Sequence, residues 1–167
     1  MAEDVKEKVI RYLQDAHAAE EGGLASLRDI IDAATDQDFK SSLEEHAKIT
    51  ESQSSRLEAR ILALGAKKAE GKSLLNTLIG KGSDLINIFH DKEDKQAQDA
   101  MKLYALENLE VASYTALKAF ADAAGDHETA QLAETILNEE QLAAERILRL
   151  IPQLARAPLS TATATTS

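Results

Sequence analysis

Residues 103–117 read Leu-Tyr-Ala-Leu-Glu-Asn-Leu-Glu-Val-Ala-Ser-Tyr-Thr-Ala-Leu, an amphipathic pattern with acids on its apolar face. Steps of three and four residues place Glu107, Glu110 and Tyr114 on one line along a helix. The middle of the apolar stripe is therefore acidic. An ionised carboxylate inside a helix bundle costs several kcal/mol unless it is paired or bound to a cation. This stretch predicts a helix that carries charge into a protein core.

Three further segments have the same helical periodicity, and two of them also carry a glutamate at the midpoint. The first segment has Glu20 there, and the last has Glu140. The midpoint of the second segment is polar without an acid, with Thr50 and Gln53. The apolar positions of these stripes are predicted to form the core, and they include Val9, Leu13, Leu24, Leu27, Leu43, Leu57, Ile61, Ala133, Ile136, Ala143 and Ile147.

The connections between the segments predict how the helices are arranged. Short breaks at Ala34-Thr35-Asp36 and at Ala124-Gly125-Asp126 each predict an antiparallel hairpin, and the second offers Gly as a stop and Asp as a cap. Roughly residues 65–91 form a longer amphipathic connection, which is predicted to carry one or two short helices. The sequence therefore predicts an all-α, ferritin-like antiparallel four-helix bundle of two helical hairpins with a long crossover.

The end of the chain has a different composition from the bundle. The last helix is predicted to stop within about a turn of Pro152, because proline removes a helical hydrogen bond. A run rich in Ser, Thr and Ala follows, and it has little to bury. The expected organisation is a bundle over residues 1–156 and a disordered tail over residues 157–167.

Composition and charge exclude several classes of function. The chain has 167 residues, a net charge of -10 and no cysteine. Scattered basic residues argue against a nucleic-acid partner, because phosphate contacts need clustered Lys and Arg. The absence of cysteine removes disulfides, thiolate catalysis and iron-sulfur clusters. No apolar run approaches membrane-spanning length and residues 1–4 are acidic, so a cytoplasmic protein without membrane insertion is expected.

Glutamates at the midpoints of three helices favour a metal site. Reflection through the second hairpin turn places Glu140 level with Glu110, so carboxylates from facing helices converge. Carboxylates suit iron or manganese, and the facing helices of bundles hold such centres. The predicted metal ligands are Glu20, Glu107, Glu110 and Glu140. For each of them the alternative is a side chain that reaches solvent from the edge of the stripe.

Three other side chains lie close to these acids on their helices. His17 and His46 each lie one turn before a midpoint, so either imidazole could ligate a metal or hydrogen-bond to a ligand. A hydrogen-bonded histidine at the boundary of the core is the commoner role. Tyr114 lies one turn after Glu110 and is expected to be buried with its hydroxyl satisfied.

Four segments of the chain carry a resemblance to a known family. They are Asp-Ala-His-Ala-Ala-Glu at 15–20, Leu-Glu-Glu-His at 43–46 with Thr50 and Gln53, Glu-Asn-Leu-Glu-Val-Ala-Ser-Tyr at 107–114, and Glu-Glu at 139–140. With them, the chain resembles the YciE/YciF family of ferritin-like stress-response proteins over roughly residues 8–150. The resemblance implies a rubrerythrin-type bundle, a homodimer and a di-iron site whose acids fall on Glu20, Glu107, Glu110 and Glu140.

Three positions depart from the pattern of that family. Ile49 stands where the second helix usually has a glutamate, Asn108 where a histidine usually lies between the third-helix acids, and Ala144 where a later fourth-helix acid is expected. Loss of the second-helix carboxylate removes a ligand that would bridge two metals. The remaining acids would then hold one metal ion, or a weakened pair completed by Gln53 and water, or none.

Two classes of function therefore remain open at the level of sequence. The first is a metal-binding protein in iron oxidation or the oxidative stress response, with ferroxidase- or peroxidase-like activity if the metal site is intact. The second is a metal-free helical dimer that acts as a structural or interaction module. Metal content distinguishes the two classes.

Overall fold

Four long α-helices make up the part of the chain that the computed structural model describes, residues 2–69 and 92–164, with side chains over 2–69 and 93–159. They are α1 (Glu3–Ala33), α2 (Gln37–Ala63), α3 (Lys95–Ala123) and α4 (His127–Ala164), and a 3-10 turn at Lys92–Asp94 leads into α3. These ranges contain no strand, which confirms the all-α prediction. Within them, no helix combines the length and the apolar character that crossing a bilayer requires.

Both predicted hairpin turns are present, and local contacts explain them. Asp36 caps α2, because its carboxylate accepts a hydrogen bond from the backbone N–H of Phe39 at 2.9 Å. Gly125 adopts a φ of 73°, in the left-handed region that ends many helices. Asp126 then accepts a hydrogen bond from the backbone N–H of Thr129 at 3.1 Å and caps α4. The turns that the sequence predicts at residues 34–36 and 124–126 are therefore present in the structure.

Hydrogen bonds at the two ends of the bundle establish the direction of the second hairpin. At one end, the side-chain oxygen of Gln96, at the start of α3, accepts from the backbone N–H groups of Thr35 (2.8 Å) and Asp36 (2.9 Å). At the other end, Arg60 near the end of α2 donates to Asp126 at 2.6 Å. Helices α2 and α3 are therefore parallel, as a long crossover requires. The short crossover helices predicted within 65–91 fall on residues 70–91, which lie outside the described residues.

The core consists of two apolar clusters, one on each side of a polar layer. The first contains Val9, Leu13, Leu57, Ile61, Tyr114, Leu117, Ala133 and Ile136. The second contains Leu27, Phe39, Leu43, Ala97, Ala100, Leu103, Ile147 and Leu154. The layer between them holds the polar midpoints of all four helices, which are buried. Apolar packing above and below therefore shields these midpoints from water.

The N-cap of α2 gives a first testable prediction. Asp36→Ala removes the carboxylate that accepts from Phe39 N–H and from the Gln153 side chain at 3.1 Å. We expect a loss of about 1 kcal/mol in the free energy of unfolding, measured by urea denaturation. Asp38→Ala, in the same turn but exposed, is the control and should lose only a few tenths of that. Equal losses in the two variants would contradict the cap.

The predicted end of the last helix near Pro152 is wrong. Helix α4 continues through Pro152 and Pro158 to Ala164. Beyond Pro152 the helix still has apolar surface to bury, because Leu154 is only 2% exposed and packs in the second apolar cluster. That burial offsets part of the cost of an interior proline. The division of the chain into a bundle over 1–156 and a disordered tail over 157–167 stays a prediction.

Candidate metal centre

All four glutamates predicted as ligands are buried in the polar layer. Their exposed fractions are 2% for Glu20, 1% for Glu107, 5% for Glu110 and 1% for Glu140. Helix α1 supplies one, α3 supplies two and α4 supplies one. None of the four reaches solvent, so the alternative of an edge position does not apply to any of them.

A compact group of ligand-type atoms lies where α2, α3 and α4 meet. One ring nitrogen of His46, one carboxylate oxygen of Glu107 and one of Glu140 all lie within 4.8 Å of each other. The Nε2 atom of His46 is 3.1 Å from Oε1 of Glu107, which places the ring against that carboxylate. Two carboxylates and an imidazole at this separation form a donor set that could coordinate a single divalent metal ion.

Gln53 of α2 completes this group on the side of Glu140. Its amide nitrogen donates to Oε1 of Glu140 and, at 3.1 Å, to Oε2 of Glu139. Glu139 in turn accepts from Arg56 at 2.5 Å. Gln53 is completely buried, whereas Arg56 and Glu139 are partly exposed, so this chain of contacts leads from the cluster to the surface.

The other two glutamates lie nearer α1. The hydroxyl of Tyr114 on α3 donates a hydrogen bond to Oε1 of Glu20. Glu110 lies against Gly23 of α1, where an added Cβ would be 3.8 Å from its Oε1 atom. The polar layer therefore has two halves, one formed by His46 and its two acids and one formed by Glu20 and Glu110.

His17 contacts α2 and is absent from the compact group. Its Nε2 atom lies 3.3 Å from the hydroxyl of Ser54, which donates to Glu21 at 2.7 Å. This arrangement matches the commoner role given to it from sequence, a hydrogen-bonded histidine at the boundary of the core. Thr50, at the midpoint of α2, is buried and donates to the carbonyl of His46 at 3.1 Å.

Burial and mutual repulsion raise the pKa values of the acids. Burial raises the pKa of Glu140 to about 12, and the adjacent carboxyl group of Glu107 and the charges of Glu110 and Glu20 add to the increase. Burial likewise raises the pKa of Glu110 well above its ordinary range and that of Glu20 to about 7, although the hydrogen bond from Tyr114 opposes the latter. Without a cation, the layer keeps protons that glutamates normally lose at neutral pH.

The pKa of His46 is also shifted by the neighbouring carboxylates. Burial alone would lower the pKa of His46, but its hydrogen bond to Glu107 and the negative charges of Glu107 and Glu20 outweigh burial. The pKa of His46 therefore lies above its usual range. The cluster as a whole favours positive charge at its centre, whether that charge is a proton or a metal ion.

Buried atoms without a partner test whether a metal fits here. Within the described side chains, four buried side-chain atoms lack a hydrogen bond: Nδ1 of His46 and one oxygen each of Gln53, Glu107 and Glu140. Buried polar atoms are nearly always paired, so each unpaired atom needs an explanation. All four come from residues that touch one another in one layer. A bound cation would satisfy several of them at once, so the donor set fits a metal.

A cavity of about 60 Å³ lies between α2 and α4 beside the cluster. His46 lines it together with Ile49, and the other lining residues are Ser42, Leu43, Glu139, Leu142, Ala143, Arg146 and Ile147. Ile49, which stands where the resemblance leads one to expect a glutamate, therefore gives this side of the cluster an apolar wall. Ala144, the second departure of this kind, is buried on α4.

The compact group combines two residues that the sequence predicted as metal ligands with one, His46, for which it favoured another role. Glu107 and Glu140, both predicted as ligands, lie in the compact group with His46. The sequence favoured a boundary role for His46, although its position one turn before a polar midpoint was a usable signal. Glu20 and Glu110 lie in the same layer, where Glu20 is bonded to Tyr114. As expected, Tyr114 is buried with its hydroxyl satisfied.

Several solved structures share the architecture of this chain. A protein from Xanthomonas campestris pv. campestris is 26% identical, with a TM-score of 0.80 over 95% of this chain and 99% of its own. The stress protein YciF of E. coli is 19% identical, with a TM-score of 0.78 over 92% and 98%. A Desulfovibrio desulfuricans bacterioferritin, described with a diiron site, is 22% identical, with a TM-score of 0.69 over 95% and 88%. The last two similarities show a shared fold, which confirms the ferritin-like bundle.

The family match covers nearly the whole chain. The family described as "Domain of unknown function (DUF892)" matches residues 4–160, a range that includes nearly all of the four helices. Together with the structural similarity to YciF, this match confirms the YciE/YciF ferritin-like assignment drawn from the four sequence segments. The chain belongs to the DUF892 family, and its bundle is ferritin-like.

Proposed function

We propose that this protein binds a divalent transition-metal ion in the polar layer of its bundle, with His46, Glu107 and Glu140 as ligands and Glu20 and Glu110 beside them. The observation that carries the proposal is the coincidence of two sets. The residues whose ligand-type atoms lie within 4.8 Å of each other are also residues with unpaired buried atoms. A single cation bound among these residues would satisfy several of the unpaired atoms at once.

Iron or manganese is the proposed metal. Hard carboxylate oxygens with a single imidazole suit Fe(II) and Mn(II), and cysteine, the ligand that would favour softer metals, is absent from the chain. A bound cation would favour the ionised forms of Glu20 and Glu110, whose pKa values are raised by burial, and these charges would in turn stabilise the ion. Iron would add one-electron chemistry to this site.

The protein's own residues would control the surroundings of that ion. Two apolar clusters exclude water from above and below the layer. Tyr114 holds a proton on its hydroxyl and directs it at Glu20, which orients that carboxylate. Burial and the charges of Glu20 and Glu110 raise the pKa of Tyr114 well above its ordinary range, so its proton stays in place at neutral pH. A role in iron oxidation or in oxidative stress, and a homodimer, are further predictions of this proposal.

A metal-free helical module is the second candidate. It is favoured by Ile49, which stands where the family resemblance implies an acid. The apolar side chain of Ile49 lines the cavity beside His46. The raised pKa of Glu140 would also let the layer fold with a proton in place of a metal. This candidate predicts no retained metal.

Metal retention tests the proposal directly. The protein is incubated anaerobically with Fe(II) and separately with Mn(II), desalted, and analysed for metal per chain. We expect about one ion per chain in the wild type and a loss of nearly all of it in Glu107→Ala and in Glu140→Ala, since each removes a ligand. Glu139→Gln is the matched control, because Glu139 precedes Glu140 but is partly exposed.

The outcomes separate the two candidates. Retention in the wild type and in Glu139→Gln, with loss in the other two variants, supports the metal site. Equal retention in all four proteins would place the metal elsewhere and contradict the ligand assignment. No retention in the wild type would favour the metal-free module.

A further inference from the structure

We propose that Gln53 is itself a metal ligand, through its side-chain oxygen, and that its amide rotates when the ion binds. This inference rests on the proposed metal-binding function and adds a ligand from α2 to it. Gln53 would supply a neutral oxygen from α2, in which Ile49 stands where the family resemblance implies an acid.

The first argument is the environment of the amide. Gln53 is completely buried, and its nitrogen donates to Glu140 and to Glu139, while its oxygen has no partner among the residues that the structure describes. A buried carbonyl-type oxygen without a hydrogen-bond donor destabilises the folded state. The metal-free arrangement therefore satisfies the nitrogen at the expense of the oxygen.

The second argument concerns how a cation would act on the two ends of the amide. A cation at the centre of the cluster would favour the opposite orientation of the Gln53 side-chain amide. It attracts the amide oxygen and repels the partially positive N–H group. Rotation by half a turn about the last side-chain bond exchanges the two atoms without moving the helix.

The third argument is position. The amide nitrogen is in hydrogen-bond contact with Oε1 of Glu140, so after rotation the oxygen of Gln53 would take its place beside that carboxylate. Two oxygen ligands of one ion are typically about 3 Å apart, because metal–oxygen bonds are about 2.1 Å long and meet near a right angle. An amide oxygen held against a ligand carboxylate is therefore at the spacing of a second ligand.

Two substitutions separate a ligand from a hydrogen-bond donor. Gln53→Leu removes both functions at similar volume, and Gln53→Glu keeps an oxygen ligand but loses the N–H group. The dissociation constant for Mn(II) is measured by the EPR signal of free Mn(II), and folding of each variant is checked by circular dichroism. We expect Gln53→Leu to bind about 10- to 100-fold more weakly and Gln53→Glu to bind at least as tightly as the wild type. Gln141→Leu, on the exposed side of α4, is the control and should bind like the wild type.

Equal weakening in Gln53→Leu and Gln53→Glu would overturn the ligand role, because it would show that only the N–H group matters. Unchanged binding in Gln53→Leu would overturn it as well. A wild type that binds no Mn(II) would instead reject the proposed metal site on which the inference depends, so the two failures are distinguishable.

A spectroscopic measurement follows the Gln53 amide itself in the wild-type protein, and a variant serves only for assignment. The side-chain NH₂ resonances of Gln53 are assigned in a ¹⁵N-labelled sample by their absence in Gln53→Glu, and Zn(II), which is diamagnetic, is then added. We expect both proton resonances to shift, because the hydrogen bonds to Glu139 and Glu140 break when the amide rotates and its oxygen binds the ion. Resonances that stay at their metal-free positions in the zinc-loaded protein would contradict the rotation.

Discussion

Saturation with Mn(II) should raise the free energy of unfolding of this protein by about 4 kcal/mol when the free ion is about a thousandfold above its dissociation constant. A ligand that binds only the folded state stabilises it by mass action, and the proposed site exists only when α2, α3 and α4 are packed together. For a chain of this size the gain corresponds to a rise in melting temperature of about 10 °C. Differential scanning calorimetry with and without Mn(II) measures it.

The variants of this experiment test where the stabilisation arises. Glu140→Ala should lose nearly all of the metal-dependent rise, because it removes one of the three clustered ligands. Glu134→Ala, an exposed glutamate of the same helix, should keep it. A rise of the same size in Glu140→Ala would show that Mn(II) stabilises the protein through another site.

In the metal-free protein, removal of a buried negative charge should raise the free energy of unfolding. Glu20→Gln is expected to stabilise the chelator-treated protein by about 3 kcal/mol at pH 8. The pKa of Glu20 is raised to about 7 from an ordinary value of 4.5, and each pKa unit corresponds to about 1.4 kcal/mol. Glutamine keeps an oxygen that can accept the hydrogen bond from Tyr114, so the substitution removes the charge and little else.

The sign of the pH dependence follows from the direction of that shift. Below pH 4.5 the carboxyl group of Glu20 is protonated in both the folded and the unfolded state, so the variant should gain nothing. As the pH rises from about 4.5 through about 7, the unfolded state releases the proton first and the wild type loses stability. Urea denaturation at pH 4 and pH 8 measures the difference, with Glu7→Gln, exposed on the same helix, as the control. A variant no more stable than the wild type at pH 8 would contradict the account of the buried charge.

Much of the fold could be predicted from sequence because its signals are local. The apolar stripes depend on residues three and four apart, and the turns depend on single residues such as Asp36, Gly125 and Asp126. The continuation of α4 beyond Pro152 could not be predicted in this way. It depends on Leu154 meeting Phe39 and other residues of the second apolar cluster, which are distant in sequence.

The candidate site also has a part that could be predicted from the sequence and a part that could not. Glu110 and Glu140 could be predicted at one level, because a short turn fixes the register of α3 against α4. The meeting of Glu140 with Glu107, one turn earlier on α3, depends on the packed structure. The part played by His46 could not be predicted either, because it depends on the rotation of α2 about its own axis. A rotation of a fraction of a turn would aim the imidazole away from Glu107 and into the cavity lined by Ile49. Only the packed structure shows that the ring meets the carboxylate.

Anomalous diffraction at the manganese absorption edge, from crystals grown with Mn(II), tests the central claim most directly. The account predicts one strong peak per chain between α2, α3 and α4, at about 2.0–2.3 Å from a nitrogen of His46 and from carboxylate oxygens of Glu107 and Glu140. No peak in the polar layer, or a peak only at surface acids such as Glu128, would contradict it.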